Sequence, residues 1–177
     1  MLTSMHELRK LGARSIGNSC CMTTAVGSED RAEISGLLSR YYRAVDDKRV
    51  DHTLIEATFT ADGRWVSPTG IVRVGHETIA AQQIEATALF RATHHMTTDH
   101  VIELDGDTAW LQANVTAMHL WGSGTTDPAA LESHFLAGGV FQAHAVRTIA
   151  GWRFSELTLR IVWRTGALPV HVSPDKV

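Results

Sequence analysis

Helical periodicity ends near residue 92 of this chain, and strand alternation fills almost everything after it. That order, helices first and long strands last, is the strongest constraint on the fold. Ile34, Leu37, Leu38, Tyr41, Tyr42 and Val45 recur at helical spacing, which predicts a helix over about 29–46 with one apolar face. Ser28 is its expected N-cap, and Glu29, Asp30 and Glu33 place negative charge on the first turn. A short helix is expected at about 51–58, capped by Asp51, with Leu54, Ile55 and Phe59 facing inward. "ADGRWVSPTG" reads as a turn, a brief strand and another turn, since Pro68 and Gly70 interrupt it. "GHETIAAQQIEATALF" predicts a third helix with Ile79, Gln83, Ala86 and Phe90 along one stripe.

Beyond it, "HHMTTDHVIEL", a turn at Asp105-Gly106-Asp107 and "TAWLQANVTAMHLW" predict a long hairpin. "GSGTTDPAAL" is a loop. "SHFLAGGVFQAHAVRTI", a turn at Ala150-Gly151 and "WRFSELTLRIVW" predict a second hairpin. The fold class is α+β: three N-terminal helices packed in a strongly curved, mostly antiparallel sheet. Such a sheet, wrapped around helices, leaves a closed cavity suited to a ligand.

The 177 residues fit one domain, with 44% apolar and 20% charged residues, as in ordinary globular proteins. A net charge of -3 and the lack of a basic cluster argue against nucleic acid or an anionic membrane as partner. No apolar run reaches the roughly 18 residues of a membrane span. Cys20 and Cys21 are adjacent and cannot build a disulfide framework, which fits a reducing, cytoplasmic setting. Residues 1–28, rich in Gly, Ser and Thr without an apolar stretch, read as a flexible arm before a domain at 29–166 and a tail at 167–177.

Of the ten histidines, His94, His95, His100, His119, His134 and His144 fall on predicted strands. On the second long strand Leu111, Ala113, Val115 and Ala117 form the apolar series, and His119 shares their parity. With a three-residue turn at 105–107, His95 lies opposite Ala117. His95 and His119 then face the cavity, while His94 and His100 face away; a two-residue turn would reverse this. Asp46 lies one turn beyond Tyr42, at the inward edge of the first helix. If its carboxylate reaches His95, it fixes the tautomer and stabilises the imidazolium formed on proton transfer. The histidine spacings match no familiar metal signature, so no metal is expected. There is no G-x-S-x-G elbow for serine chemistry.

These residues carry a resemblance. From about 29 to 166 the chain resembles the SnoaL-like branch of the nuclear transport factor 2-like superfamily. The resemblance implies a cone-shaped α+β barrel around one pocket. "AVDDKR" looks like the helix end carrying the catalytic aspartate of scytalone dehydratase and hexachlorocyclohexane dehydrochlorinase, and "THHM" like the strand start carrying their histidine. It implies Asp46, His95 and His119 as catalytic residues. Gln142 matches the dehydratase's pocket amide, and Val45 and Trp65 stand where it has two tyrosines; Tyr41 or Tyr42 substitutes only if the helix is rotated. Tyr42, Trp65, Phe90 and Gln142 are therefore the expected substrate-binding residues, with Phe141 and Trp163 as further pocket walls.

The resemblance implies a cofactor-independent lyase, isomerase or cyclase that takes a proton from carbon in a small apolar or aromatic metabolite. The alternative is a non-catalytic ligand-binding or assembly module of the same fold. An epoxide-opening enzyme is a third reading, with Asp99 and Glu103 on one strand face. Phe135, Leu157, Leu159 and Ile161 alternate on the last strands and suggest a homodimer or homotrimer.

Overall fold

The computed structural model describes residues 19–122 and 134–166. Three helices, α1 (Ser19–Asp46), α2 (His52–Thr58) and α3 (His76–Ala88), precede or interrupt the strands. The strands are β1 (Phe59–Val66), β2 (Val72–Val74), β3 (Phe90–Asp105), β4 (Thr108–Trp121), β5 (His134–Thr148) and β6 (Gly151–Gly166). They form one sheet in the order β2-β1-β6-β5-β4-β3. Only β1 and β6 pair in parallel, so the sheet is mixed and mostly antiparallel. It does not close: β2 and β3 are its two edges. Irregular register at Phe59/Arg64, Thr98/Val101, Gly138/Gly139 and His144/Ala145 bends the strands, as bulges do.

The core lies between α1 and the concave face of the sheet. Ile34, Leu37, Leu38, Tyr41 and Val45 pack with Leu111, Phe141, Phe154 and Leu157. Alanines at 109, 113, 117, 143 and 145 also face this core, where their small side chains let the helix approach closely. Each large aliphatic side chain buried here contributes about 1.5–3 kcal/mol. A polar clasp adds direction. Asp30, buried near the start of this packed stripe, accepts from Trp152 Nε1 at 3.1 Å and from Arg147 at 2.6 Å. Glu33 accepts the Trp152 backbone N–H at 3.0 Å. Arg147 also donates to Asp107 at 3.0 Å, so α1 is pinned to the ends of both hairpins.

Several sequence expectations need correction. α1 begins at Ser19, so Ser28 lies within the helix and does not cap it. No proline interrupts the residues before it, and helix continues through them. Residues 1–18, the tail 167–177 and most of the "GSGTTDPAAL" loop lie outside the described residues. Asp51 does cap α2, accepting the Leu54 N–H at 2.7 Å. The expected turn at Ala61–Gly63 is instead strand within β1. A Cβ at Gly63 would stand 2.9 Å from Thr60 O, so glycine allows the chain to kink there and continue. β2 was not anticipated, and the last hairpin turns one residue earlier, with Thr148 opposite Gly151.

The β3–β4 hairpin is the most instructive. Asp105 pairs with Thr108 and Leu104 with Ala109, which makes a two-residue turn. That turn by itself would put His95 on the wrong face. The bulge between Thr98 and Val101, with Asp99 at φ 53, shifts the register by one residue and cancels the change. His95 therefore lies opposite Ala117 after all. His100, in the bulge itself, turns inward and its Nδ1 lies 2.7 Å from Ser35 Oγ on α1.

The apolar series expected to mark an oligomer face is internal. Leu157 is fully buried in the main core, and Leu159 packs against it. Phe135 forms a second cluster with Trp121 and Ala137, supported by Phe90 and Ile161.

Candidate active site

The site forms where the C-terminal end of α1 meets the start of β3. Asp46 is the last residue of α1. One of its oxygens, Oδ1, lies 2.7 Å from His95 Nδ1 and accepts from Thr93 Oγ1 at 2.8 Å. The other, Oδ2, accepts the His95 backbone N–H at 2.8 Å. Thr93 and His95 are two apart on β3 and so share one face, which lets a single carboxylate engage both.

Burial pushes the Asp46 carboxyl up, but the two His95 bonds, the His95 charge and the Thr93 bond outweigh it and hold it below the usual carboxylate range. A carboxylate only accepts, so the Nδ1 of His95 that faces Asp46 carries a proton, and in the neutral ring the lone pair then lies on Nε2. The pair is partly buried, with His95 and Asp46 side chains 9% and 14% exposed.

Aromatic rings enclose the imidazole. Tyr42 is tilted against His95 at 4.7 Å between centroids, with Phe141 at 4.7 Å from Tyr42. His119 meets His95 edge-on at 5.2 Å and 87°. Phe90 and Phe135 flank His119 at 4.6 and 5.5 Å, and Phe90 continues to Trp121 at 4.5 Å. Burial, and then the neighbouring His95 charge, push the His119 ring down to about 4. His119 is thus uncharged at neutral pH. Its Nδ1 is buried and has no hydrogen-bond partner among the described residues. A neutral imidazole of this kind donates through N–H and does not act as an imidazolium acid.

Of the expected site residues, Asp46, His95, His119, Tyr42 and Phe90 are brought together. Phe90 does so as the first residue of β3, not on α3. Trp65 is buried in the main core on β1, opposite Leu157, and its Nε1 has no partner among the described residues. Tyr41 is also in the core, with its hydroxyl titration pushed far up by burial. Gln142 is not in the site. Phe141 and Ala143 take the inward positions of β5, so Gln142 is exposed on the outer face and donates to Gln112 at 3.4 Å. Trp163 is likewise half exposed on the outer face, its indole seated over Gly138. Arg147 is held by Asp30 and Asp107, away from the site.

Thr93 was missed, although its parity with His95 in "THH" was the available signal. Among the described residues no group of three His, Cys, Asp or Glu side chains is placed to hold a metal, and no helix is long and apolar enough to cross a membrane.

Three helices against a bent six-stranded sheet make an α+β protein, and its fold is similar to that of a nuclear transport factor 2-like protein from Novosphingobium aromaticivorans, 19% identical with TM-score 0.67. The chain belongs to the SnoaL-like domain family, whose model matches residues 27–158. No curated protein matches it. Among solved structures it is similar to the Kfla4162 protein of Kribbella flavida, 29% identical over 78% of this chain and 95% of that one, with TM-score 0.69. A protein described as a candidate scytalone dehydratase from Novosphingobium aromaticivorans is 17% identical over 85% and 99%, with TM-score 0.70. Hexachlorocyclohexane dehydrochlorinase LinA-type3 from Novosphingobium barchaimii is 20% identical over 81% and 94%, with TM-score 0.64. At such identities the last two show the fold alone.

Proposed function

We propose that this protein is a cofactor-independent lyase, isomerase or cyclase that removes a proton from carbon in a small apolar or aromatic metabolite. The observation that carries the reading is the double hold of Asp46 on His95, which leaves Nε2 as a base. In an elimination, Nε2 takes the proton, the C–H electron pair becomes the new C=C bond, and the leaving group departs with its own bonding pair. The imidazolium that forms is stabilised by Asp46, whose carboxylate stays ionised. His119, neutral, supplies an N–H for oxygen charge that develops as the proton leaves. Tyr42, Phe90 and Phe141 give the apolar surroundings that suit a flat substrate.

The test is a panel of dehydration, dehydrohalogenation and cyclisation substrates with wild type and His95→Ala. Turnover that falls by roughly 10²-fold or more in the variant supports the proposal. Full activity in His95→Ala sinks it. Saturable binding without turnover, unchanged in the variant, leaves a binding module of the same fold as the better account.

A further inference from the structure

Lys48 holds a backbone conformation that lysine rarely takes. It stands at φ 59, two residues beyond Asp46. Its N–H donates to Val45 O at 3.1 Å, and the Arg49 N–H donates to Ala44 O at 2.8 Å. These two bonds are the Schellman closure of a helix, whose left-handed residue is usually glycine. The side chain does something a glycine could not. Its ammonium donates to Thr87 O at 2.6 Å and to Phe90 O at 2.7 Å.

Those two carbonyls belong to different elements. Thr87 lies in the last turn of α3, where the helix dipole favours a cation. Phe90 is the first residue of β3. Between Asp46 and His95 the chain passes through α2, β1, β2 and α3, and α1 meets β3 directly at Ser35 and His100, far up the helix from Asp46. Lys48 shortens that path to one side chain. It ties the end of α1 to the strand that presents Thr93 and His95 three and five residues later. A hydrogen bond weakens steeply with added distance or misalignment, so this spacing has little slack.

We infer that Lys48 is a positioning residue for the Asp46–His95 pair, setting where β3 starts relative to the end of α1. The inference rests on the dyad reading above and adds the residue that spaces the dyad. Lys48 acts through Asp46 and Phe90, and its amine is already engaged by two carbonyls.

The test follows the His95 Nδ1–H in ¹H–¹⁵N NMR spectra of the full chain, with thermal unfolding measured alongside. Lys48→Met keeps the apolar stem and removes the donors. Lys48→Gly suits the backbone φ and guards against misfolding in the methionine variant. Lys48→Arg keeps charge and donors. In Lys48→Met and Lys48→Gly, exchange of the His95 Nδ1–H with water is expected to rise by roughly tenfold, as local opening becomes easier. Lys48→Arg should restore slow exchange. Lower melting temperatures with an unaltered His95 signal would overturn the inference and leave Lys48 a fold-stabilising residue. A wild-type signal indifferent to Asp46→Asn would bring down the dyad and this inference together.

Discussion

Asp46 grips His95 at two points, the ring Nδ1 at 2.7 Å and the backbone N–H at 2.8 Å, one with each carboxylate oxygen. The ring contact sets the tautomer. The backbone contact holds β3 against the end of α1. A single carboxylate thus engages both the ring and the backbone of His95.

Asp46→Asn tests that double role. The amide offers one acceptor where the carboxylate offers two, so one His95 contact becomes donor against donor. The expected result is loss of the slowly exchanging Nδ1–H in NMR spectra. On any substrate that is turned over, activity should fall by about 10²- to 10⁴-fold.

Thr93→Val removes one donor from Asp46 without touching His95. The Thr93 bond helps hold the Asp46 carboxyl down, so its loss moves that carboxyl up toward the usual range. The Asp46 carboxyl, followed by its ¹³C resonance in an NMR titration, should take up its proton at higher pH than in wild type. Stability should drop by about 1 kcal/mol in urea denaturation, the net worth of one hydrogen bond.

His119 predicts a stability slope. Burial pushes its folded value down to about 4, below the ordinary 6.5, so both states are neutral well above pH 6.5. Below that the unfolded chain binds a proton that the native ring refuses. Stability should therefore decline as pH falls from about 6.5 to 4, by on the order of 1 kcal/mol per unit. His119→Asn should flatten this part of the urea-midpoint profile. Asp46, held below its ordinary value, adds a loss only at lower pH, under about 4.

Trp152→Phe keeps the buried ring but removes the indole N–H that Asp30 accepts at 3.1 Å. Asp30 is only 7% exposed, so a charged acceptor loses a partner away from water. A loss of about 1–3 kcal/mol in urea denaturation is expected. The His95 signals, at the other end of α1, should stay unchanged.

Gln142→Ala separates this chain from its dehydratase-like resemblance. The side chain is exposed and meets Gln112 on the outer face. Ligand affinity and turnover should match wild type, with a stability change within about 0.5 kcal/mol. A large loss of affinity in a binding titration would return Gln142 to the pocket.

Much of the site was legible in local patterns. The 3.6-residue stripe of α1 places Tyr42 and Asp46 on its inward side, and the two-residue alternation of β4 places His119 there too. His100 and Gln142 were misplaced for different reasons. His100 lies in a bulge that alternation does not register. Gln142 was assigned by likeness of position to a relative, while its own strand parity, with Phe141 and Ala143 inward, pointed outward.

The sequence by itself determined the long elements, their amphipathic faces and the residue types available for proton transfer, because periodicity is written in neighbouring residues. Tertiary structure decided the register. The tight turn at Gly106-Asp107 and the bulge at Asp99 each shift β3 by one residue, and only together do they return His95 to Asp46. Lys48 and Thr93 also take their meaning from partners far along the chain. Pairing between distant segments depends on where each strand starts and bends, and no local period encodes that distance.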